Sequence, residues 1–318
     1  MIEYIMQQNR RKFLKKSAFA SIGIIGLSSF PLDVFAKRDL FKLTILHTND
    51  VHSHIEAFPA NDPKYAGLGG VARRAALVKK IRYENPNTLL LDAGDIFQGT
   101  PYFNLWGGEL EFKIMSEMGY DASTIGNHDF DNGLEGLEKM LPHAKFPFIC
   151  SNYDFTDTIM EGKTLSYKIF NKEGIKVGVF GLGIDPAGLV EKKLYGNTKY
   201  LDPIQYAARY SYFLKYEQKC DLVICLSHLG YKYKGNKISD IELAKQSKNI
   251  DLIIGGHTHT FLNEPLAYRN SDGKEVLISQ VGWAGIKLGK VDFYFKSFKN
   301  KPLVEGSSIV IDDKIINS

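Results

Sequence analysis

Five times in this chain a short apolar run ends in histidine, aspartate or asparagine, usually beside a glycine. The sharpest case is Asp251-Leu252-Ile253-Ile254-Gly255-Gly256-His257-Thr258-His259-Thr260, where an apolar run reads as a buried strand stopping at a glycine pair. Upstream, Leu222-Val223-Ile224-Cys225-Leu226 runs into Ser227-His228-Leu229-Gly230 in the same way. Strands that end like this build sites at the carboxyl edge of an α/β sheet. An extended backbone sends His257 and His259 to opposite faces. They converge only if the backbone turns there, or else they serve two different metals.

The remaining elements support that frame. Phe41 to Leu46 reads as a first strand leading to Asp50 and His52, and Thr88 to Leu91 as a second leading to Asp92, Gly94 and Asp95. Between them, Val71, Ala75, Val78 and Ile81 are spaced as one face of a helix over 69–83. Its other side carries Arg73, Arg74, Lys79, Lys80 and Arg82, read as a solvated face. A helix from about Leu105 to Met118 leads to Ala122-Ser123-Thr124-Ile125 and then to Gly126-Asn127-His128-Asp129. Another runs from near Gly133 to Pro142, and Phe146 to Ser151 reads as a further strand. Tyr167 to Leu182 reads as a hairpin turning at Lys172-Glu173-Gly174. Asp202-Pro203 opens a helix with an N-cap and a proline at its first turn. From Val276 to Phe295 the texture suggests antiparallel strands. No Gly-, Pro- or Ser-rich linker divides the chain, so one domain is expected, with helices outside layered sheets.

All five groups can meet along one sheet edge. Imidazoles, carboxylates and an amide without thiolate suit Zn, Mn, Fe or Co, and the same set accepts several of these. Each piece alone is common; five in order at strand ends are specific.

That set resembles the calcineurin-like metallophosphoesterase family, and most nearly the metal-binding domain of bacterial 5′-nucleotidases and UDP-sugar hydrolases. The resemblance runs from about Leu43 to Phe295 and includes LHTNDVHSH, LLLDAGDIFQGTP, IGNHDFDNG and IIGGHTHT. It implies a four-layer α/β/β/α sandwich. It also implies two divalent ions, one on Asp50, His52 and His259 and the other on Asn127, His228 and His257, with Asp95 between them. His128 would touch the phosphate or assist the leaving group, with Asp131 orienting its ring. The implied reaction is hydrolysis of small phosphate esters, 5′-nucleotides or their relatives, because two ions hold an activated water and neutralise the phosphoryl oxygens. A thiosulfohydrolase-like reaction on the same metals, and a non-catalytic metal-bearing subunit, are the alternatives. His47, His54 and His143 lie outside the motifs and read as structural or surface residues. In the bifunctional nucleotidases a C-terminal domain holds the nucleoside; here that part is expected on a separate chain.

Charge and the N-terminus set the setting. The net charge of +4 is concentrated in the first 36 residues, which hold five Lys/Arg and two Asp/Glu; the remainder carries 35 against 34. A nucleic-acid polymer is therefore not the expected partner. Asn9-Arg10-Arg11-Lys12-Phe13-Leu14-Lys15 resembles a twin-arginine export motif, with an apolar stretch from Ser17 to Phe30 and a cleavage site at Val34-Phe35-Ala36. That stretch is shorter than the roughly 20 residues a membrane span needs, so no stable anchor is expected. The expectation is a signal over residues 1–36, a domain over 40–298, an edge strand or tail over 299–318, and a periplasmic location. Three cysteines, Cys150, Cys220 and Cys225, leave no complete disulfide framework. Cys150 and Cys225 read as buried apolar residues, with a pairing of Cys220 left open.

Overall fold

The computed structural model describes residues 40–235, 237–296 and 301–315. The export signal expected over residues 1–36 lies outside them. Leu40–Ser318 form one compact unit.

With strands numbered in chain order, Phe41–Thr48 (β1) sends Leu43 and Ile45 to one face and Leu46 to the other, and both faces are buried. Thr88–Asp92 (β2) repeats this with Leu89 and Leu91 against Leu90. Burial on both faces is why these strands read as unbroken apolar runs. β2 lies parallel to β1, with Thr48 opposite Asp92, and the short Ala122–Ser123 (β3) continues the sheet. On the other side of β1, Lys287–Phe295 (β12) runs antiparallel, and Leu303–Val310 (β13) forms the edge.

The second sheet has the order Leu266–Arg269 (β10), Glu275–Ser279 (β11), Leu252–Gly255 (β9), Leu222–Ser227 (β8), Ile175–Leu182 (β6) and Tyr167–Lys172 (β5). Its four central strands are parallel and its edge strands antiparallel. Tyr153–Asp154 (β4) and Lys199–Tyr200 (β7) form a separate small pair. The β5–β6 turn places Glu173 and Gly174 at φ 49° and 94°, the left-handed pair that a two-residue hairpin needs.

Leu43, Ile45, Leu91 and Phe293 of the first sheet meet Val177, Val179, Ile224 and Ile254 of the second in one apolar layer. Val71–Glu84 (α1), Pro101–Trp106 (α2), Glu109–Met118 (α3) and Gly133–Met140 (α4) cover the outer face of the first sheet through Val78, Phe103, Phe112 and Leu137. Pro203–Tyr212 (α5) and Asp240–Gln246 (α6) cover the second through Ala207, Ile241 and Leu243. The molecule is a four-layer α/β/β/α sandwich. Asp202 caps α5, accepting from Ile204 N at 2.8 Å and Gln205 N at 3.2 Å. All three cysteines are buried free thiols. Among the described residues no helix is long and apolar enough to cross a membrane.

Four expectations need correction. The helix expected from Leu105 is two helices, because Gly107 and Gly108 both take positive φ and break it. Residues 146–151 make only isolated bridges, Phe148 to Ser123 and Ile149 to Leu165, since their neighbour β3 is two residues long. The strands between Val276 and Phe295 belong to different sheets, and β11 runs parallel to β9. The basic side of α1 is not a solvated face throughout. Arg74 is buried, and Arg82 holds the carbonyls of Met118 and Gly119 together with Asp121.

Candidate metal centre

The carboxyl ends of β1, β2, β8 and β9 reach one edge of the sandwich, and the turns beyond them carry every residue of the expected set except those after β3. Asp50, His52, Asp95, His257 and His259 all have positive φ, between 46° and 68°. Such conformations are uncommon outside glycine and cluster where a site imposes them. They resolve the His257/His259 question. The backbone does turn, and the two imidazoles also enter different groups.

Those groups are Asp50, His52 and His259, and Asp95, His228 and His257; within each, the donor atoms lie within 4.8 Å of one another. Asn127 Oδ1 is 2.7 Å from His257 Nδ1, joining the second group. Asp95 Oδ2 stands between the groups, 3.0 Å from His228 Nε2 and 3.8 Å from His52 Nε2. His128 lies at the rim, its Nδ1 2.9 Å from Asp131 Oδ2 and its ring 5.3 Å from that of His52. His54 and His143 lie outside both groups. His47 lies between the sheets, with Nε2 2.8 Å from Ser279 Oγ.

The hydrogen bonds around these donors prepare them for cations. His228 Nδ1 donates to Ala93 O at 2.7 Å and His52 Nδ1 to Phe97 O at 3.1 Å. Each bond fixes the tautomer that turns a bare Nε2 inward, the usual preparation of a metal-ligating imidazole. His228 Nε2 is fully buried without a hydrogen-bonding partner, although Asp95 Oδ2 is close. Burial lowers His257 to about 4 and also lowers His52, keeping both rings neutral. His228 behaves otherwise: burial opposes its charge, but the Asp95 carboxylate outweighs burial and pushes it up to about 10. Two buried carboxylates thus call for positive charge, and a proton on His228 and a cation are alternative ways to supply it.

Several residues that hold the site were not singled out from the sequence. Asp129 accepts from Asp95 N (3.0 Å), Gly126 N (2.8 Å), Ile96 N (2.9 Å) and Phe97 N (3.3 Å), tying the turn after β2 to the turn after β3. Asn49 donates to Gly282 O and accepts from Val281 N, while Gln280 donates to Gly256 O and accepts from Thr258 and Thr260. Asp50 accepts the His257 N–H at 2.9 and 3.0 Å. Gly94 makes room for a neighbouring loop: a Cβ there would come within 2.6 Å of Gly126 N and 3.0 Å of His228 Nδ1. The one signal in the sequence was the carboxylate closing Gly126-Asn127-His128-Asp129, a residue type that caps tight turns.

Comparison with known proteins agrees with this geometry. The family model described as calcineurin-like phosphoesterase matches residues 43–261. The chain is 33% identical over 295 residues to a snake venom 5′-nucleotidase of Gloydius brevicauda, covering 86% of this chain and 49% of the relative. It is 36% identical over 256 residues to a 5′-nucleotidase of Vibrio cholerae, covering 76% and 44%. The crystal structure of a 5′-nucleotidase precursor from Thermus thermophilus superposes with a TM-score of 0.78 at 32% identity, over 86% of this chain and 55% of that one. The chain spans about half the length of the curated relatives it matches.

Proposed function

The chain belongs to the calcineurin-like phosphoesterase family, and from that premise we propose that it is a dinuclear metal-dependent phosphoester hydrolase acting on 5′-nucleotides or related small phosphate esters. The observation that carries the proposal is the position of Asp95 between two imidazole groups. Asp50, His52 and His259 would hold one divalent ion, Asn127, His228 and His257 the other, and Asp95 both. Two such ions supply positive charge to the phosphoryl oxygens and activate the attacking water. His128 then has the leaving group to serve. The hydrogen bond to Asp131 raises its pKa, which favours a proton on the ring for the departing oxygen, while Asp131 fixes its direction.

Selectivity for nucleotides needs contacts beyond the metal edge. The side chains of His128 and His259 are 38% and 39% exposed, so the rim is open. We assign its second wall to a separate chain resembling the C-terminal part of the longer relatives, and the open rim supports that reading. The sequence of residues 1–36 supports export by the twin-arginine pathway to the periplasm.

The test is hydrolysis of 5′-nucleotides, phosphodiesters, UDP-sugars and an aryl phosphate by the metal-stripped chain, restored with Mn or Zn. Metal should restore turnover, and His128→Ala should keep its metal while losing ~10²–10⁴-fold in kcat. Absence of metal-dependent turnover on every ester would refute the proposal. Adding the candidate partner chain should lower KM for nucleotides more than for the aryl phosphate.

A further inference from the structure

His259 is held differently from His52 and His228. The outer nitrogens of His52 and His228 donate to main-chain carbonyls, while His257 Nδ1 faces Asn127 Oδ1 within its own group. For His259, among the described residues, the ring makes no hydrogen bond from its outer side; its Nε2 faces His52 Nε2 at 3.1 Å. Its side chain is 39% exposed, against 5% for His52 and 0% for His228. What lies against it is Trp283. The indole is parallel to the imidazole within 5°, with centroids 5.7 Å apart.

Trp283 is itself fixed. His54 meets it edge-on at 5.1 Å and 88°, Phe58 and Tyr65 at 5.9 and 6.0 Å, and its Nε1 points to Tyr65 Oη at 3.4 Å. Its loop is bound to the turn that carries Asp50 and His52. Ala284 N donates to Asp50 O at 2.8 Å, Asn49 Nδ2 to Gly282 O at 2.6 Å, and Val281 N to Asn49 Oδ1 at 2.9 Å. Gly282 is required there, because Phe261 occupies the space a Cβ would take.

We propose that Trp283 is the positioning residue for His259, replacing by ring stacking the hydrogen bond to a main-chain carbonyl that orients His52 and His228. The indole thereby sets the affinity of the Asp50–His52–His259 group for its ion. This rests on the two-ion reading above. Asp50 is linked to the Trp283 loop through the Ala284 N–H and His259 to the indole through its ring face, so this loop supports two of the three donors. Outer contacts to metal ligands typically set affinity by ~10–100-fold. Aromatic stacking lacks the directionality of a hydrogen bond, so the effect belongs at the lower end of that range.

The test is Mn²⁺ binding by calorimetry and elemental analysis on the full chain. Wild type should bind two ions. Trp283→Ala should bind one with unchanged affinity and the other ~10-fold more weakly, and Trp283→Phe should recover most of the loss. Equal weakening of both ions, or two unchanged affinities in Trp283→Ala, would overturn the proposal. Wild type binding no more than one ion would instead remove the two-ion reading beneath it. Should Trp283→Ala fail to fold, Trp106→Phe leaves Trp283 as the sole indole, and its emission should be quenched as Co²⁺ fills the site. Emission indifferent to Co²⁺ would equally overturn the assignment.

Discussion

Asp129 shows how much a single carboxylate can organise without touching substrate. Its four N–H bonds come from two different turns, so it fixes the distance between Asp95 and Asn127. Asp129→Asn keeps the volume but puts an amide N–H against N–H donors in a fully buried place. The loss should be about 3 kcal/mol, since buried donors are left unmet. Denaturant unfolding of the metal-stripped protein would measure it; stability equal to wild type would refute the role. The sequence made the ligand residues legible because donor chemistry is restricted to few residue types. It did not make their supports legible. Asn49, Gln280 and Asp129 are ordinary turn residues until the fold brings distant loops against them, and Trp283 lies far along the chain from Asp50.

At the scale of elements, unbroken apolar runs carried most of the fold. Leu43, Ile45, Leu89 and Leu91 against Leu46 and Leu90 show that both faces of the first sheet are covered, which requires layers on each side. The pairing partners were not visible, because β11 and β12 have similar texture yet enter different sheets. Nor could the sequence place His47, which crosses the sandwich from β1 to Ser279 on β11 while Gly289 opposite it lacks the Cβ that would fill its place. Burial lowers His47 to about 3, against 6.5 in an unfolded chain. A folded pKa below the unfolded one gives stability that is full above pH 6.5 and lost as pH falls toward 3. Between pH 6.5 and 5 the loss from this ring is about 2 kcal/mol. His47→Gln, which can still meet Ser279 Oγ, should therefore be less acid-sensitive than wild type by that amount in denaturant titrations. Parallel pH profiles for the two proteins would show that His47 is not buried neutral.

At the scale of the whole molecule, the metal edge is where stability has been given up. Asp50 and Asp95 are buried beside one another's groups, several backbones there are left-handed, and His228 Nε2 has no hydrogen-bonding partner. Each of these costs free energy in a protein without ions, and the buried carboxylates and the unpartnered His228 Nε2 are relieved by positive charge at the same place. Any ligand that binds only the folded state stabilises it, by about 2.7 kcal/mol at a hundredfold excess over Kd. For a chain of this size that corresponds to roughly 5–10 °C in Tm per filled site. Metal-stripped protein should therefore melt lower than the Mn- or Zn-loaded form, with the gap growing with ion concentration. Asp95→Ala removes the carboxylate that faces both groups, so it should lose most of that gap, and its metal-stripped Tm should fall below wild type because buried His228 loses its ionic partner and the His128 N–H its acceptor. Differential scanning calorimetry of the two proteins, with and without chelator, separates these outcomes. A metal-induced rise in Asp95→Ala as large as in wild type would mean that the ions do not share this carboxylate.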